Sequence, residues 1–298
     1  MIHKSEIFQI AKSLNLLPST IEKDYVLGWI LAGIQIHEKC NKSWIFKGGT
    51  CLKKCFFQDY RFSEDLDFSL KEQFDLDEAS LRVILQEMGD WIYEQSGIEI
   101  PFKKITVEFY KNPQGLVSIQ GKLAYLGPLM PKQRGNLPTI KLDLSLHEKI
   151  SLPVEKRNIF YPYSDRPAFF PKTLTYCYEE MFAEKLRALA ERARPRDLYD
   201  VIFLYENKNL IQNKTNFLQA LKEKSAFKKI PVPILKTIKE HSQKEILISE
   251  WNNMLGHQLN DLRSFDYYWN QLPKVFNWVE SLFEQERFLN LSKNLIPS

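Results

Sequence analysis

Metal-binding and disulfide-forming residues are scarce in this chain. It has five histidines and four cysteines in 298 residues, and Cys40, Cys51, Cys55 and Cys177 form no Cys-x-x-Cys pair. That scarcity argues against a zinc site and against a disulfide framework. Cys51 and Cys55 stand four apart on an expected helix and read as buried thiols of a core. Free thiols of this kind point to a reducing, cytoplasmic compartment. No apolar run approaches the roughly 18–20 residues that a membrane span needs. The opening MIHKSEIFQIAKSLNLLPSTIEKD mixes polar and apolar residues at helical spacing, unlike a secretory signal. Internal repeats and low-complexity tracts are also lacking. What remains is ordinary globular material, 44% hydrophobic and 26% charged, long enough for one large domain or two ordinary ones.

The net charge of +4 is small but unevenly placed. Residues 206–244 hold nine lysines against Glu206, Glu223 and Glu240. A lysine-rich helical region of this kind reads equally as a footprint for a polyanion and as a solvated face.

The most informative segment is 46–70, FKGGTCLKKCFFQDYRFSEDLDFSL. Gly48-Gly49-Thr50 opens an expected helix, and Arg61-Phe62-Ser63 follows a short loop. Leu66, Phe68 and Leu70 then alternate with Asp65, Asp67 and Ser69, which predicts a half-buried strand over 65–70. Its two aspartates leave the same face, about 6–7 Å apart along the chain. Carboxylates aimed together repel unless a cation lies between them, and paired divalent ions serve displacement at phosphorus. Glycines upstream let a backbone approach phosphate closely. Each part alone has an ordinary explanation, a turn or a solvated strand face. The linked order of strand, Gly-Gly-Thr, short helix, Arg-x-Ser and Asp-x-Asp resembles the polymerase-β-like nucleotidyltransferase fold.

Helices are expected over 5–16 and from a Ser19-Thr20-Ile21-Glu22 capping box to about Cys40, with one face in the core. A short strand is expected over 43–47, a helix over 49–57 and another over 76–96. Strands over 98–109 and 116–126 flank a turn at Asn112-Pro113-Gln114-Gly115. Thr139 to Leu146 alternates cleanly and gives Asp143 the setting of Asp65 and Asp67. Residues 151–177, rich in proline and aromatics, read as an irregular connection. From Glu179 the pattern is helical: one helix ended by Pro195, then 197–206, 214–226, 231–242, 243–256 and 265–289. The composition suggests an α/β domain over 1–177 with N-terminal helices and a helical domain over 178–298. On the helix from 179, Lys185 and Arg192 project from one side, able to neutralise a triphosphate. Asp197 and Asp200 share a face of the next helix, placed to orient those cations or to contact substrate.

The combination FKGGTCLKKCF…RFSEDLDFSL, IKLDLS and EEMFAEKLRALAERARPRDLYDV resembles the AbiEii/AbiGii-type nucleotidyltransferases, toxins of type IV toxin–antitoxin and abortive-infection (phage defence) systems. IEKDYVLGWIL resembles that family's opening helix, and the similarity covers roughly residues 15–205. It implies an α+β fold, with a polymerase-β-like core of mixed sheet and flanking helices followed by an all-helical part. It also implies transfer of a nucleoside monophosphate from an NTP, dependent on Mg²⁺ or Mn²⁺, to an acceptor such as the 3′ end of tRNA. A cognate antitoxin is an implied partner. Carried over by motif, Gly48, Gly49 and Thr50 form the nucleotide turn with Arg61 and Ser63, and Asp65, Asp67 and Asp143 are the metal ligands. Asp143 is also the acid that accepts the proton, Lys185 is the motif lysine, and Asp197 and Asp200 end the final motif; Arg192 joins the nucleotide set by its place on the helix beside Lys185. Thr50 stands where many nucleotidyltransferases have Ser, and either hydroxyl can reach a phosphate oxygen. Transfer to a protein hydroxyl and a non-catalytic interaction module are the rival readings.

Overall fold

The structure, a computed structural model, describes residues 1–71, 77–111, 115–130, 137–166 and 171–294. The expected helix start at Leu76 and the turn at Asn112, Pro113 and Gln114 lie outside these residues. The chain divides into two compact units. The first comprises Met1–Ile150, Val154–Tyr176 and His257–Asn260; the second comprises Ser151–Pro153, Cys177–Gly256 and Asp261–Ser298.

The first unit is built on a mixed seven-stranded sheet among the described residues. Its strands are β1 (Trp44–Lys47), β2 (Asp65–Leu70), β3 (Ile105–Lys111), β4 (Val117–Ala124), β5 (Thr139–Ser145), β6 (Glu155–Asn158) and β7 (Lys172–Thr175), in the order β3-β4-β5-β2-β1-β7-β6. β2 runs parallel to β5 and antiparallel to β1. Helices α1 (Lys4–Leu14), α2 (Pro18–Ile36) and α3 (Cys40–Ser43) precede the sheet. The Gly-Gly-Thr turn opens α4 (Gly48–Cys51), which runs into a π-helical turn at Leu52–Phe56, and α5 (Glu78–Ser96) follows β2. One face of the sheet is core. Leu66, Phe68, Ile119, Ile140, Leu142 and Leu144 are at most 1% exposed, and Phe46 stacks on Phe68 with ring centroids 5.0 Å apart.

The mixed sheet with flanking helices, and the helices that follow it, match the expected architecture. β2 has the predicted bounds, whereas α2 differs in two ways. Pro18 occupies its first turn, where no N–H is needed, and no side chain caps the helix. Glu22 instead accepts from the Leu129 N–H at 2.6 Å. Nearly every residue from Thr20 to Gln35 is buried, so α2 is a core helix rather than an amphipathic one. The run Glu22-Lys23-Asp24-Tyr25 works as a set of tethers. Lys23 pairs with Glu64 at 2.7 Å and Asp24 with Lys54 at 2.6 Å, and the Tyr25 hydroxyl donates to Asp165 at 2.7 Å. In place of the irregular connection expected over 151–177, β6 and β7 pair as an antiparallel ribbon. Four residues carry too short an alternation to be recognised.

The second unit is helical: α6 (Tyr178–Arg192), α7 (Pro195–Glu206), α8 (Lys214–Phe227), α9 (Leu235–Lys239), α10 (Lys244–Ser249), α11 (Trp251–Leu255), α12 (Phe265–Trp269) and α13 (Leu272–Asn294). Pro195 begins α7 instead of terminating α6, which ends on Ala193 in the left-handed region. The three long C-terminal helices expected are broken into shorter ones. Pro231 and Pro233 delay α9, and Pro273 sits in the first turn of a new helix, α13. Phe182 lies at the centre of this unit, stacked on Trp278 at 5.7 Å and 7°.

Candidate active site

The site residues of the first unit follow from strand register. Lys47 of β1, Asp67 of β2, Asp143 of β5 and Gln120 of β4 are consecutive partners across four strands. In-register partners point to the same face about 4.8 Å apart, so these four side chains form one polar row. Asp65 lies two residues below Asp67 and opposite Lys141; Ser69 lies two above, opposite Ser145. All three aspartates are half-buried on this face, with the apolar core on the other. Gln120 Nε2 donates to Asp143 Oδ1 at 3.0 Å. Lys47 is 7% exposed and pairs with Glu148.

Gly48 leaves β1 with φ +80°, and a Cβ there would collide with Asp67 Oδ2 and stand 3.0 Å from its Cγ. Only glycine accepts both that backbone angle and that approach. A Cβ on Gly49 would meet Arg61 Nη2 at 2.8 Å and Ser63 Oγ at 3.0 Å, so the turn, Arg61 and Ser63 are packed together as expected. Thr50 is 1% exposed, and its hydroxyl donates to the Asp65 carbonyl at 2.5 Å. In this structure the hydroxyl ties the turn to the aspartate strand. Arg61 is buried and donates through Nη1 to Gln258 Oε1 at 2.9 Å. The adjacent Glu64 lies between Lys23 at 2.7 Å and His257 at 2.8 Å. Burial alone would raise its carboxyl, but the hydrogen bond and charge of Lys23, joined by the contact with His257, outweigh burial and hold it at about 2. On β3, burial and then the nearby Asp143 charge push the Tyr110 phenol up.

Among the described residues, no group of three His, Cys, Asp or Glu side chains is gathered so that it could hold an ion by itself. The expected Asp65–Asp67–Asp143 set is therefore aligned by register without closing into a cage. That arrangement still suits a Mg²⁺-type ion. Such an ion is commonly held by one or two carboxylates plus substrate phosphates and waters, not by an all-protein shell.

In the second unit, Lys185 pairs with the fully buried Asp200 at 2.7 Å. Arg192 forks onto Asp197, with Nε to Oδ2 and Nη2 to Oδ1 both at 2.8 Å. Each acidic residue of the Arg-Asp-Leu-Tyr-Asp run thus orients one of the two cations. The lysine-rich segment is not uniformly solvated. Lys224 is 2% exposed and bridges Glu180 at 2.8 Å and Glu184 at 3.1 Å, which removes it from any surface footprint. The sequence reading missed Lys47, Glu148, Gln120, Gln258 and the Glu64–His257 pair. Of these, only Gln120 carried a usable signal, since it lies on the polar side of an alternating strand.

The family model "Nucleotidyl transferase AbiEii toxin, Type IV TA system" matches residues 29–271. Among solved structures, MenT4, a nucleotidyltransferase toxin from Mycobacterium tuberculosis H37Rv, is similar with a TM-score of 0.61 and 16% identity. The match covers 94% of this chain and 90% of that one, a likeness of fold. No curated protein matches the chain.

Proposed function

The chain belongs to the AbiEii family of nucleotidyltransferase toxins of type IV toxin–antitoxin systems, and we propose that it transfers a nucleoside monophosphate from an NTP to the 3′ hydroxyl of tRNA with the help of Mg²⁺ or Mn²⁺. The observation that carries this reading is the register row. Asp67 and Asp143 are partners on adjacent parallel strands, and Gly48 presses its backbone against Asp67.

The Gly48–Gly49 turn, bare of side chains, gives a triphosphate close access to backbone N–H groups beside the carboxylates. Asp65 and Asp67 would be the first ligands of the ion, and Asp143 would complete the set. When bound, the ion polarises the phosphoryl oxygens and eases deprotonation of the attacking hydroxyl. Asp143, held by Gln120, orients that hydroxyl and accepts its proton. Arg61 and Ser63, packed on Gly49, hold the turn in shape. The cations Lys185 and Arg192, oriented by Asp200 and Asp197, balance the triphosphate and the leaving pyrophosphate; for Lys185 this role rests on the family motif and for Arg192 on its place two turns along the same helix. The biological setting proposed with this chemistry is a cytoplasmic toxin, restrained by a cognate antitoxin, that blocks translation in phage defence.

The test is transfer from labelled NTP to total tRNA in the presence of Mg²⁺. Asp67→Ala is expected to lose more than about 10²-fold in rate while keeping its thermal midpoint, because relieving two facing carboxylates costs the fold little. Near-wild-type transfer by that variant would refute the metal assignment. Label appearing on protein instead of tRNA would refute the acceptor.

A further inference from the structure

The polar face does not stop at the carboxylates. Below Asp143 on β5 lies Lys141, and its antiparallel partner on β4 is Lys122. Both lysines are exposed, and neither makes an ion pair among the described residues. Like charges directly opposed across two strands repel. Lys141 is also the register partner of Asp65. The lysine pair therefore adjoins the carboxylate row on the same face of the same sheet, with Asp65 beside Lys141.

Strand order then distinguishes the two sides of the row. The Gly48–Gly49 turn leaves β1, whereas Lys141 and Lys122 stand on β5 and β4, with the aspartates of β2 between β1 and β5. An in-line displacement needs the attacking and leaving oxygens on opposite sides of the phosphorus. With the donor triphosphate at the turn, the acceptor approaches from the β4–β5 side. Lys141 and Asp143 are two residues apart on one strand, about 7 Å. That is about the length of one sugar, which separates a terminal 3′ hydroxyl from the phosphodiester of its own nucleotide.

We propose that Lys122 and Lys141 bind the last phosphodiester of a single-stranded RNA 3′ end and so place its terminal hydroxyl at Asp143. This rests on the nucleotidyltransferase reading above and deepens it by locating the acceptor strand. The occupant is a nucleic-acid backbone because two exposed cations stand together one sugar length from Asp143, which suits a phosphodiester followed by a terminal hydroxyl.

The experiment compares the wild type with Lys122→Gln/Lys141→Gln, using a short RNA with a free 3′ hydroxyl and a labelled NTP. The double variant is expected to raise KM for the RNA about tenfold and leave KM for the NTP within twofold. The salt slope of RNA binding should fall by about 1.4, as for two single-strand phosphate contacts. Lys122→Arg/Lys141→Arg, which keeps both charges, should restore most of the RNA affinity. If the wild type labels RNA and the Gln variant has unchanged RNA KM and salt slope, this proposal is wrong and the nucleotidyltransferase reading stands. A rise in KM for the NTP alone would place the pair at the donor and also overturn it. Wild-type enzyme that labels only protein overturns this proposal together with the RNA reading.

Discussion

Gly48→Ala is the sharpest single perturbation the structure offers, because two separate costs meet at one position. The first is backbone strain. Gly48 has φ +80°, and an L residue forced into the left-handed region costs about 1–2 kcal/mol. The second is collision, since the new methyl would overlap Asp67 Oδ2 and crowd Asp67 Cγ at 3.0 Å. Asp67 must withdraw by roughly 1 Å to relieve this, and a displacement of that size at a reacting centre costs about 10²-fold in rate.

Gly115 separates the two costs. It has φ +78°, yet nothing lies within 4 Å of where its Cβ would stand. Gly115→Ala should lose about 1–2 kcal/mol of stability from strain alone and keep wild-type transfer. Gly48→Ala should lose at least as much stability and about 10²-fold in transfer. Urea unfolding gives the first quantity and label transfer from NTP, assayed where all three proteins are folded, gives the second. Gly48→Ala with wild-type activity would falsify the placement of Asp67 at the reacting centre. Equal loss of activity in both variants would assign the effect to strain.

The remaining predictions draw on the buried charges. Lys185→Ala should weaken NTP affinity in calorimetry and slow transfer, with only partial rescue by Lys185→Arg, because an ammonium and a guanidinium meet Asp200 with different geometry; unchanged affinity and rate would return Lys185 to a purely structural role. Lys224→Gln should lower the urea-derived stability by about 3–5 kcal/mol, since it leaves Glu180 and Glu184 facing each other without their cation. Lys222→Gln, two residues away on α8 and in an exposed pair with Glu286, should cost under about 1 kcal/mol, and equal losses would refute the burial argument. Glu64, held at about 2 in the fold, has an unfolded value near 4.3. Its contribution is therefore fully present above that unfolded value and is lost as pH falls through about 2. Stability measured from pH 5 to 2 should fall less steeply in Glu64→Gln than in the wild type, and parallel curves would refute the assignment.

The parts of this protein that could be read from sequence share one property, a periodic pattern that one stretch of chain carries by itself. Asp65 to Leu70 and Thr139 to Ser145 each alternate over six or seven residues, and both are strands facing as their patterns require. What could not be read depends on partners distant in sequence. Lys47 is buried because Glu148, 101 residues later, accepts its charge. Gln258 reaches Arg61 from 197 residues away, and no local pattern announces it. β6 and β7 are short strands whose order comes from pairing with each other and, for β7, with β1. The lysine-rich segment misled for the same reason. Lys224 lies on the apolar stripe of α8, seven residues after Phe217 and three after Leu221, whereas Lys222 lies on the other face, but only the approach of Glu180 and Glu184 on α6 supplies the charges that let a lysine be buried there.

Register joins this core to the proposed chemistry. Leu66, Phe68 and Leu70 on one side of β2 are buried, and Asp65, Asp67 and Ser69 stand on the other. A slip of one residue would turn the aspartates into the core and the leucines onto the polar face, so burial of the apolar set fixes the register. The same constraint acts on β5 through Ile140, Leu142 and Leu144. Asp67 and Asp143 are brought side by side by six apolar residues on the opposite face, not by any attraction of their own; left to themselves, two carboxylates at that spacing repel. Hydrophobic burial thus sets the spacing of the aspartate row, with Lys47 on one side of it and Gln120 on the other, and an ion held there would draw on one or two of these carboxylates together with substrate phosphates.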